Sequence, residues 1–207
     1  MVVKPGLRER KKQRTRQALI DAAFTLISRQ GYEQTTVADI AEAADVSTRT
    51  FFLHFPAKED VLLADGEQRI ELALAVIADA APGNPPGDVL VRAFTEMVTH
   101  NWEHDLASGL GALRVKLAAT VPALQAAMLL RLSAAQRTLT VALEQAYADR
   151  LDPIDAASAV GALTGAVVAA ALASLDRGDA SEQTRDAMLR AISTTGRHLL
   201  AADPGQR

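Results

Sequence analysis

Apolar residues recur every three to four positions along most of this chain, the spacing that places them on one face of an α-helix. Near the N-terminus, for example, Ile20, Ala23, Phe24 and Ile27 fall on one side of a predicted helix. No window combines strict alternation of apolar and polar residues with the β-branched enrichment of a strand. The 207 residues, 49% of them hydrophobic, are therefore predicted to form an all-α globular protein.

Capping residues, glycines and prolines divide the chain into predicted helices. Thr36, with Asp39 in capping-box position, and Ser47 begin two short helices, and Gly31 ends the one before them. A long fourth helix, with Leu63, Gly66, Ile70, Leu74 and Ile77 as its buried stripe, is predicted over residues 58–80. The predicted helices cover residues 7–29, 37–44, 47–55, 58–80, 88–104, 109–119, 122–150 and 153–175, and a last one starts at residue 181.

Charge and cysteine content narrow the function classes. Residues 1–55 contain nine Lys and Arg against six Asp and Glu, a net charge of +3, whereas the remaining residues carry −6, so the two parts face different partners. Cysteine is absent, which excludes disulfides, thiolate metal sites and cysteine nucleophiles. The first residues are basic and lack the apolar core of a secretion signal, so a cytoplasmic location is expected.

The two short helices, joined by residues 44–46, have the arrangement of a helix-turn-helix. In that arrangement one helix crosses DNA and the next enters the major groove. Ile40, Ala41, Val46 and Phe51 are spaced to form the small core that holds two such helices crossed. An ordinary helical hairpin has the same pattern, so the spacing alone leaves both interpretations open.

A set of residues in this region resembles the DNA-binding domain of TetR-family transcriptional regulators over about residues 10–65. These residues are Gly31-Tyr32, Thr35-Thr36-Val37, Ile40-Ala41, Ala44-Asp45-Val46-Ser47, Thr50-Phe51-Phe52-Leu53-His54-Phe55 and Lys58-Glu59. The resemblance implies a three-helix DNA-binding domain at residues 1–56 and a larger helical domain at residues 57–207 that binds a small molecule and dimerises. It implies a homodimeric repressor, with no cofactor, that a small-molecule effector releases from a palindromic double-stranded DNA operator.

Carried over position by position, the resemblance implies a set of DNA contacts. These residues are Thr36, Ser47, Thr48, Arg49, Thr50, Phe52, His54 and Lys58. Arg49 is the one long side chain of the recognition helix with a forked set of hydrogen-bond donors. It therefore either donates two hydrogen bonds to a guanine or binds a phosphate. Two positions depart from the family: Phe52 stands where Tyr is usual, and Ala57 stands where Ser, Asn or Asp often caps the fourth helix.

The basic lead-in is a solvated tail or a phosphate-binding arm. Beside a helix-turn-helix the second interpretation is favoured, because each phosphate that a cation neutralises steepens the salt dependence of binding by nearly one unit. Its cations are Lys4, Arg8, Arg10, Lys11, Lys12, Arg14 and Arg16, against the single acid Glu9.

Residues 156–175 contain no charge and many small side chains, so a partner backbone can approach closely. A membrane span is one alternative, although the flanking Asp155 and Asp176 and the absence of an aromatic belt disfavour it. A helix buried within a monomer is another. With the last helix, this segment is predicted to form a four-helix dimer seam through Ala156, Val160, Leu163, Val167, Ile192 and Leu199.

An effector site is predicted among the middle helices, lined by apolar side chains with a few polar anchors. Its residues are Phe94, Met97, Asn101, Trp102, His104, Arg114 and Met128, each of which has a place in a plain core as its alternative. Glu96, His100 and His104 lie four residues apart, a spacing compatible with metal ligands on one helix face, although a solvated face is favoured and no metal is expected.

An enzyme is the competing class. The sequence contains no nucleophile elbow, no Walker loop and no paired carboxylates in an apolar setting, so no catalytic activity is expected. A DNA-binding architectural protein without an effector is a further alternative. A hollow between the middle helices would favour the regulator, and a fully packed core would favour the architectural protein.

Overall fold

The computed structural model describes residues 6–64, 66–81, 83–100, 113, 116–118 and 120–200. Throughout these ranges the chain forms helices joined by turns and no strand, which confirms the predicted all-α class. The chain divides into two compact units, Met1–Ala64 and Asp65–Arg207. The main helices within the described ranges are α1 (Leu7–Gln30), α2 (Val37–Ala43), α3 (Thr48–His54), α4 (Lys58–Leu62), α5 (Gly66–Ala78), α6 (Pro86–Thr99), α7 (Pro122–Ala146), α8 (Pro153–Asp176) and α9 (Ser181–Leu200).

The first unit is a small helical domain in which α1 packs against α2 and α4, and α2 packs against α3. Helix α1 ends at Gly31, whose φ of +89° is a conformation that L side chains rarely adopt. The buried side chains of α1 share one face. Together with residues of the other three helices they form a core of Leu19, Ile20, Ala23, Phe24, Ile27, Tyr32, Ile40, Ala41, Phe51, Phe55, Val61, Leu62, Leu63 and Ala64.

Helix α4 belongs to this first unit, so the division lies at Ala64 and not at residue 56 as predicted. Val61 and Leu62 are fully buried, and an Arg16 guanidinium nitrogen of α1 donates to the Ala64 carbonyl at 2.6 Å. The prediction of one helix over residues 58–80 is wrong for the same reason. In a continuous helix the Ala64 carbonyl would accept from the backbone four residues on, whereas here Arg16 takes that acceptor and Gly66, a poor helix former, begins α5.

The second unit is a bundle in which the helices contact one another in the closed order α5, α6, α9, α8, α7 and back to α5. Its core collects the apolar stripes of all five helices. The buried members are Ala73, Ile77, Val89, Leu90, Ala93, Phe94, Val98, Leu139, Leu143, Tyr147, Ala156, Val160, Leu163 and Ile192. Helices α6 and α9 approach closely at Gly196, where an added Cβ would lie 2.2 Å from Cγ2 of Val91.

Helix α6 differs at both ends from the helix predicted over residues 88–104. It begins at Pro86, because proline fits the first turn of a helix without losing a hydrogen bond, and Pro85 occupies the N-cap. It ends at Thr99, and the His100 N–H donates to the Glu96 carbonyl at 2.9 Å. The predicted helix over residues 109–119 lies largely outside the described residues.

Candidate nucleic-acid interface

The turn between α2 and α3 is a Schellman motif that has aspartate at its left-handed position. The Val46 N–H donates to the Ala41 carbonyl at 2.9 Å, and the Asp45 N–H donates to the Glu42 carbonyl at 3.0 Å. Asp45 has a φ of +55°, a value that glycine adopts without strain and aspartate tolerates better than most residues. Because both bonds close the end of α2, the turn fixes the angle at which α3 leaves it.

Side-chain caps begin both helices of this pair. The Thr36 hydroxyl accepts from the Asp39 N–H at 3.1 Å, while the Asp39 carboxylate accepts from the Thr36 N–H at 2.8 Å, so the predicted capping box is confirmed. The Thr36 N–H, and after it the Thr36 hydroxyl, stabilise the charged carboxylate and lower the pKa of Asp39. At α3 the Ser47 hydroxyl accepts from the Thr50 N–H at 3.1 Å. Both N-termini are therefore fixed by short-range chemistry, as the sequence predicts.

Helix α3 buries one side and exposes the other. Ile40, Ala41 and Phe51 are buried as predicted and hold the two helices together, whereas Val46 is half-buried. The opposite face of α3 carries a contiguous exposed set at positions i, i+1, i+4 and i+5. Its members are Thr48, Arg49, Phe52 and Leu53.

Leu53 is 73% exposed and Phe52 is 54% exposed, which is unusual for large apolar side chains on a short helix. Leu53 is absent from the predicted contacts, although its position four residues after Arg49 is a signal that could have identified it. The Arg49 guanidinium is exposed and has no hydrogen-bond or ion-pair partner among the described residues. This face of α3 therefore presents a long cation beside two apolar side chains.

His54 is half-buried at the end of α3. Burial, and after it the charges of Lys12 and Arg16, lower the pKa of the imidazole, so the ring is neutral at pH 7. A neutral imidazole still donates one N–H to an acceptor such as a phosphate oxygen.

The cations of the basic lead-in divide by their surroundings. Arg16 is internal, since it bonds Ala64 and lies with its guanidinium carbon 5.2 Å from the centre of the Phe55 ring. The exposed members, all on the first turns of α1, are Arg8, Arg10, Lys11, Lys12 and Arg14. Lys4 lies outside the described residues. The predicted arm is therefore the start of a helix and presents several positive charges to solvent.

Lys58 has contacts within the protein that the sequence does not indicate. Its ammonium donates to the carbonyls of Tyr32 and Thr35, at 3.0 Å each, and lies 3.8 Å from the centre of the Tyr32 ring. The phosphate contact implied for this residue by the family resemblance remains a prediction, because the structure contains no DNA. Two of the three ammonium donors are already used by backbone oxygens.

A family model described as "Bacterial regulatory proteins, tetR family" matches residues 19–64, which contain the whole of this helix pair. The chain is 41% identical over 113 residues to the HTH-type transcriptional regulator TcmR of Streptomyces glaucescens, a match that covers 55% of this chain and 50% of TcmR. Residues 19–64 of the chain are thus similar to the DNA-binding domain of TetR-family regulators. The chain is also 30% identical over 92 residues to the HTH-type transcriptional repressor LfrR of Mycolicibacterium smegmatis, which covers 44% of this chain and 48% of LfrR.

These matches span about half the length of the two relatives. Two solved structures extend the likeness to the whole fold. The fatty acid degradation regulator FadR from Bacillus halodurans superposes with a TM-score of 0.55 at 19% identity and covers 97% of this chain and 98% of its own. Salmonella enterica GusR gives 0.53 at 20% identity and covers 92% and 95%. The predicted fold, an N-terminal helix-turn-helix domain followed by a larger helical domain, is confirmed.

Most residues of the predicted dimer seam lie in the core of the single chain. Ala156, Val160, Leu163 and Ile192 are fully buried in the core of the single chain, and Val167 and Leu199 pack against that core. The four buried side chains are therefore covered within the chain, whereas Val167 and Leu199 are half-buried, and the seam itself stays a prediction. The exposed face of α8 is instead formed by Ile154, Ala157, Ser158, Ala162, Gly165, Ala169, Leu172 and Ala173.

Helix α8 is apolar on its exposed face as well as on its buried face. Its mean hydropathy reaches 1.9 over an 18-residue window, of which 22% is buried within the chain, and by length and composition alone it could cross a membrane. Ile154 is 75% exposed and Leu172 is 42% exposed. A Cβ added at Gly161 or Gly165 would meet nothing within 4 Å. This face is an open surface of small apolar residues with a larger one at each end.

The predicted effector residues fall partly within the described chain. Phe94 is buried in the core, Met97 packs against that core, and Met128 is half-buried on α7. The other four, Asn101, Trp102, His104 and Arg114, lie outside the described residues. The proposed effector role therefore stays a prediction for all seven.

Two buried polar atoms at the ends of helices in the second unit have no hydrogen-bond partner among the described residues. They are Nε2 of His100, at the end of α6, and the hydroxyl of Tyr147, at the end of α7. Burial is the main cause that raises the pKa of Tyr147. In the described ranges no group of three His, Asp or Glu gathers as a metal site, and His104 of the predicted ladder lies outside them.

Proposed function

We propose that this chain is a ligand-responsive transcriptional repressor that binds an operator in double-stranded DNA as a homodimer. The observation that carries the proposal is the exposed face of α3, with an unpaired Arg49 at its leading end, fixed by a helix-turn-helix core behind it. A helix held in this way is narrow enough for the major groove. The proposal is of a regulator and not of an enzyme.

The exposed face of α3 supplies the proposed base contacts. Arg49 donates a bidentate pair of hydrogen bonds to guanine, and Thr48 contacts a base edge beside it. Phe52 and Leu53, one turn later on the same face, contact the C5 methyl groups of thymines, because these methyls are the apolar part of the major groove. The alternative for Arg49 is a phosphate contact, which carries no sequence information.

The remaining proposed contacts are to phosphates. Thr36, Ser47, Thr50 and His54 lie at the ends of α2 and α3 and have hydroxyl or imidazole groups within or beside the exposed surface. The five exposed cations on the first turns of α1 add sequence-independent attraction. We therefore expect affinity to fall steeply with salt, by about 0.9 logarithmic units per phosphate neutralised for each tenfold rise in concentration.

Selection of bound sequences from random duplex DNA tests the proposal and identifies the operator. A near-palindrome with half-sites about 34–36 Å apart is expected from one recognition helix per subunit of a two-fold dimer. Arg49→Ala should then cost about 1–3 kcal/mol and relax the preference at one base pair. Lys12→Ala is the matched control, because it removes a cation from α1 and should weaken binding equally on every sequence. Equal loss on all sequences with Arg49→Ala would assign Arg49 to a phosphate.

The exposed face of α8 is the proposed seam between two copies. The small residues Gly161, Ala162 and Gly165 let two helix backbones approach closely, and Ile154 and Leu172 supply apolar area at the two ends. Burial of this face by a second copy removes from water the apolar surface that the single chain leaves exposed. We further propose that the protein is cytoplasmic and does not bind a membrane. Its recovery in the membrane fraction would contradict this.

The effector site is proposed at the end of α6, next to the predicted residues that follow it in the chain. Met97 is half-buried there, and His100 has a buried nitrogen without a described partner. An apolar molecule with one hydrogen-bonding group fits this chemistry. In a thermal-shift screen, an effector at 100 times its dissociation constant should stabilise the protein by about 2.7 kcal/mol. His100→Ala should reduce that shift, and an unchanged shift would place the effector elsewhere.

A further inference from the structure

The start of α4 clamps the connection between α1 and α2. The Lys58 ammonium bonds the carbonyls of Tyr32 and Thr35 and lies against the Tyr32 ring. The next residue, Glu59, accepts a hydrogen bond from the Tyr32 hydroxyl. We call Tyr32, Thr35, Lys58 and Glu59 the α4 clamp. Its bonds join residues 23 to 27 positions apart in the sequence.

The connection that the clamp grips is itself closed by local bonds. Thr35 is fully buried, its hydroxyl donates to the Gly31 carbonyl at 2.8 Å, and its N–H donates to the Tyr32 carbonyl at 3.3 Å. The Thr35 carbonyl is left for Lys58. A bond from an ammonium to a carbonyl is charge-assisted and stronger than one between neutral groups. Lys58 therefore links a pre-formed turn to α4 through two backbone carbonyls of that turn.

The clamp lies one residue from the helix pair that meets DNA in the proposed function. Thr35 directly precedes Thr36, the N-cap of α2, and α2 carries α3 through the Schellman turn. Any shift of the Thr35 peptide is thus passed to α2 and, through the turn, to α3. Burial of Ile40, Ala41 and Phe51 holds the pair together but does not tie its entry point to α4.

We propose that Lys58 is a positioning residue for DNA binding, which acts by holding the entry to α2 through the carbonyls of Tyr32 and Thr35, and is not a phosphate ligand. The inference rests on the proposed function, since it concerns how the DNA-binding face is held. It differs from the phosphate contact that the family resemblance implies. The two roles predict different salt dependences of operator affinity when Lys58 is replaced.

The test is the salt dependence of operator affinity for the wild type, Lys58→Met and Lys12→Met. A lysine that neutralises a phosphate contributes about 0.9 to the slope of log affinity against log salt. Lys12→Met, on the exposed face of α1, is expected to lose that amount. Lys58→Met is expected to bind every sequence about tenfold more weakly or worse, because both bonds that hold the turn are lost, with the wild-type slope.

Two further variants separate positioning from general stability. Tyr32→Phe removes the bond to Glu59 without changing charge, and Lys58→Arg retains a cation with several donors. All affinities are measured well below the unfolding midpoint of each variant, where a merely structural defect leaves operator affinity unchanged. Tyr32→Phe is expected to weaken operator binding with no change of slope, and Lys58→Arg to recover part of the affinity.

Three outcomes overturn the inference. A Lys58→Met slope lower by about 0.9 would make Lys58 a phosphate ligand. Wild-type affinity in folded Lys58→Met would show that the clamp does not position the DNA-binding face, and if that variant fails to fold, wild-type affinity in Tyr32→Phe would show the same. Failure of the wild-type chain itself to bind DNA would overturn the proposed function and this inference with it, whereas the other two outcomes overturn this inference alone.

Discussion

Substitution of Gly165 by leucine separates the stability of the single chain from the stability of the proposed dimer. Within one chain, a Cβ at this position would meet nothing within 4 Å, so the larger side chain extends into open space. Leucine also favours helix over glycine by about 0.7–1 kcal/mol in a helix interior. The folded single chain should therefore be as stable as the wild type or slightly more stable.

The proposed dimer should respond in the opposite direction. If two α8 helices approach through their small residues, a leucine at Gly165 separates the backbones, an overpacking that costs about 1–3 kcal/mol. That cost corresponds to a dimer dissociation constant about 5- to 150-fold higher. Operator affinity measured at low protein concentration should fall with the fraction of dimer, because only a dimer occupies both half-sites.

Sedimentation velocity over a dilution series measures the dimer constant, and circular dichroism measures the unfolding midpoint. Gly196→Ala is the contrasting control, since its Cβ would lie 2.2 Å from Val91 within the same chain and should lower the midpoint at every concentration. An unchanged dimer constant in Gly165→Leu would refute the reasoning and place the seam on another surface. A midpoint lowered even at concentrations where both proteins are monomeric would show that the exposed face is packed within the chain.

Four other predictions follow from the described contacts. Asp60 already accepts from the Ala57 N–H at 2.9 Å, so Ala57→Ser should complete a capping box and stabilise the protein by about 1 kcal/mol in thermal unfolding; an unchanged midpoint would contradict this. Asp45→Val should destabilise the protein by about 1–3 kcal/mol in urea unfolding because of the positive φ, whereas Asp45→Gly should not. The lowered pKa of Asp39 means that the bond from the Thr36 N–H to its carboxylate contributes fully above about pH 4 and is lost as the pH falls through the lowered value, so Asp39→Asn should flatten the acid limb of a stability profile. Replacement of thymidine by deoxyuridine at the base that Leu53 contacts removes one methyl group from the interface. It should weaken wild-type binding about fourfold and leave the binding of Leu53→Ser unchanged; equal effects on both proteins would remove Leu53 from the contacts.

Local rules predicted the helix-turn-helix well. The caps at Thr36 and Ser47 and the end of α1 at Gly31 depend on residues within a few positions of one another, so the sequence contains the information. The break between α4 and α5 does not depend on neighbouring residues alone. It depends on Arg16, 48 residues from the carbonyl that it takes, and periodicity cannot report such a contact.

The predicted dimer seam shows a different limit of sequence patterns. Helix α8 is apolar all round, so a hydrophobic pattern does not tell which side faces the core of its own chain. The difference is one of size, since the buried side has Val160 and Leu163 and the exposed side has Gly165 and Ala169. Lys58 shows that the partners of a charged side chain are equally hard to predict. Its sequence context does not reveal that its ammonium donates to two backbone carbonyls.

The first turns of α1 have a consequence for backbone dynamics. Gly6, at the N-cap, gives no side-chain hydrogen bond, and Leu7 is 81% exposed, so neither a cap nor packing holds this end. Arg10 and Arg14 face each other one turn apart, a like-charge pairing that destabilises a helix by about 0.2–0.5 kcal/mol. Amide hydrogens of this segment should therefore exchange with solvent far sooner than those around Phe24. A polyanion bound along this segment would screen the repulsion between the two arginines. The ordered part of the helix should then lengthen on binding, and the backbone hydrogen bonds that form in it should contribute to the binding enthalpy.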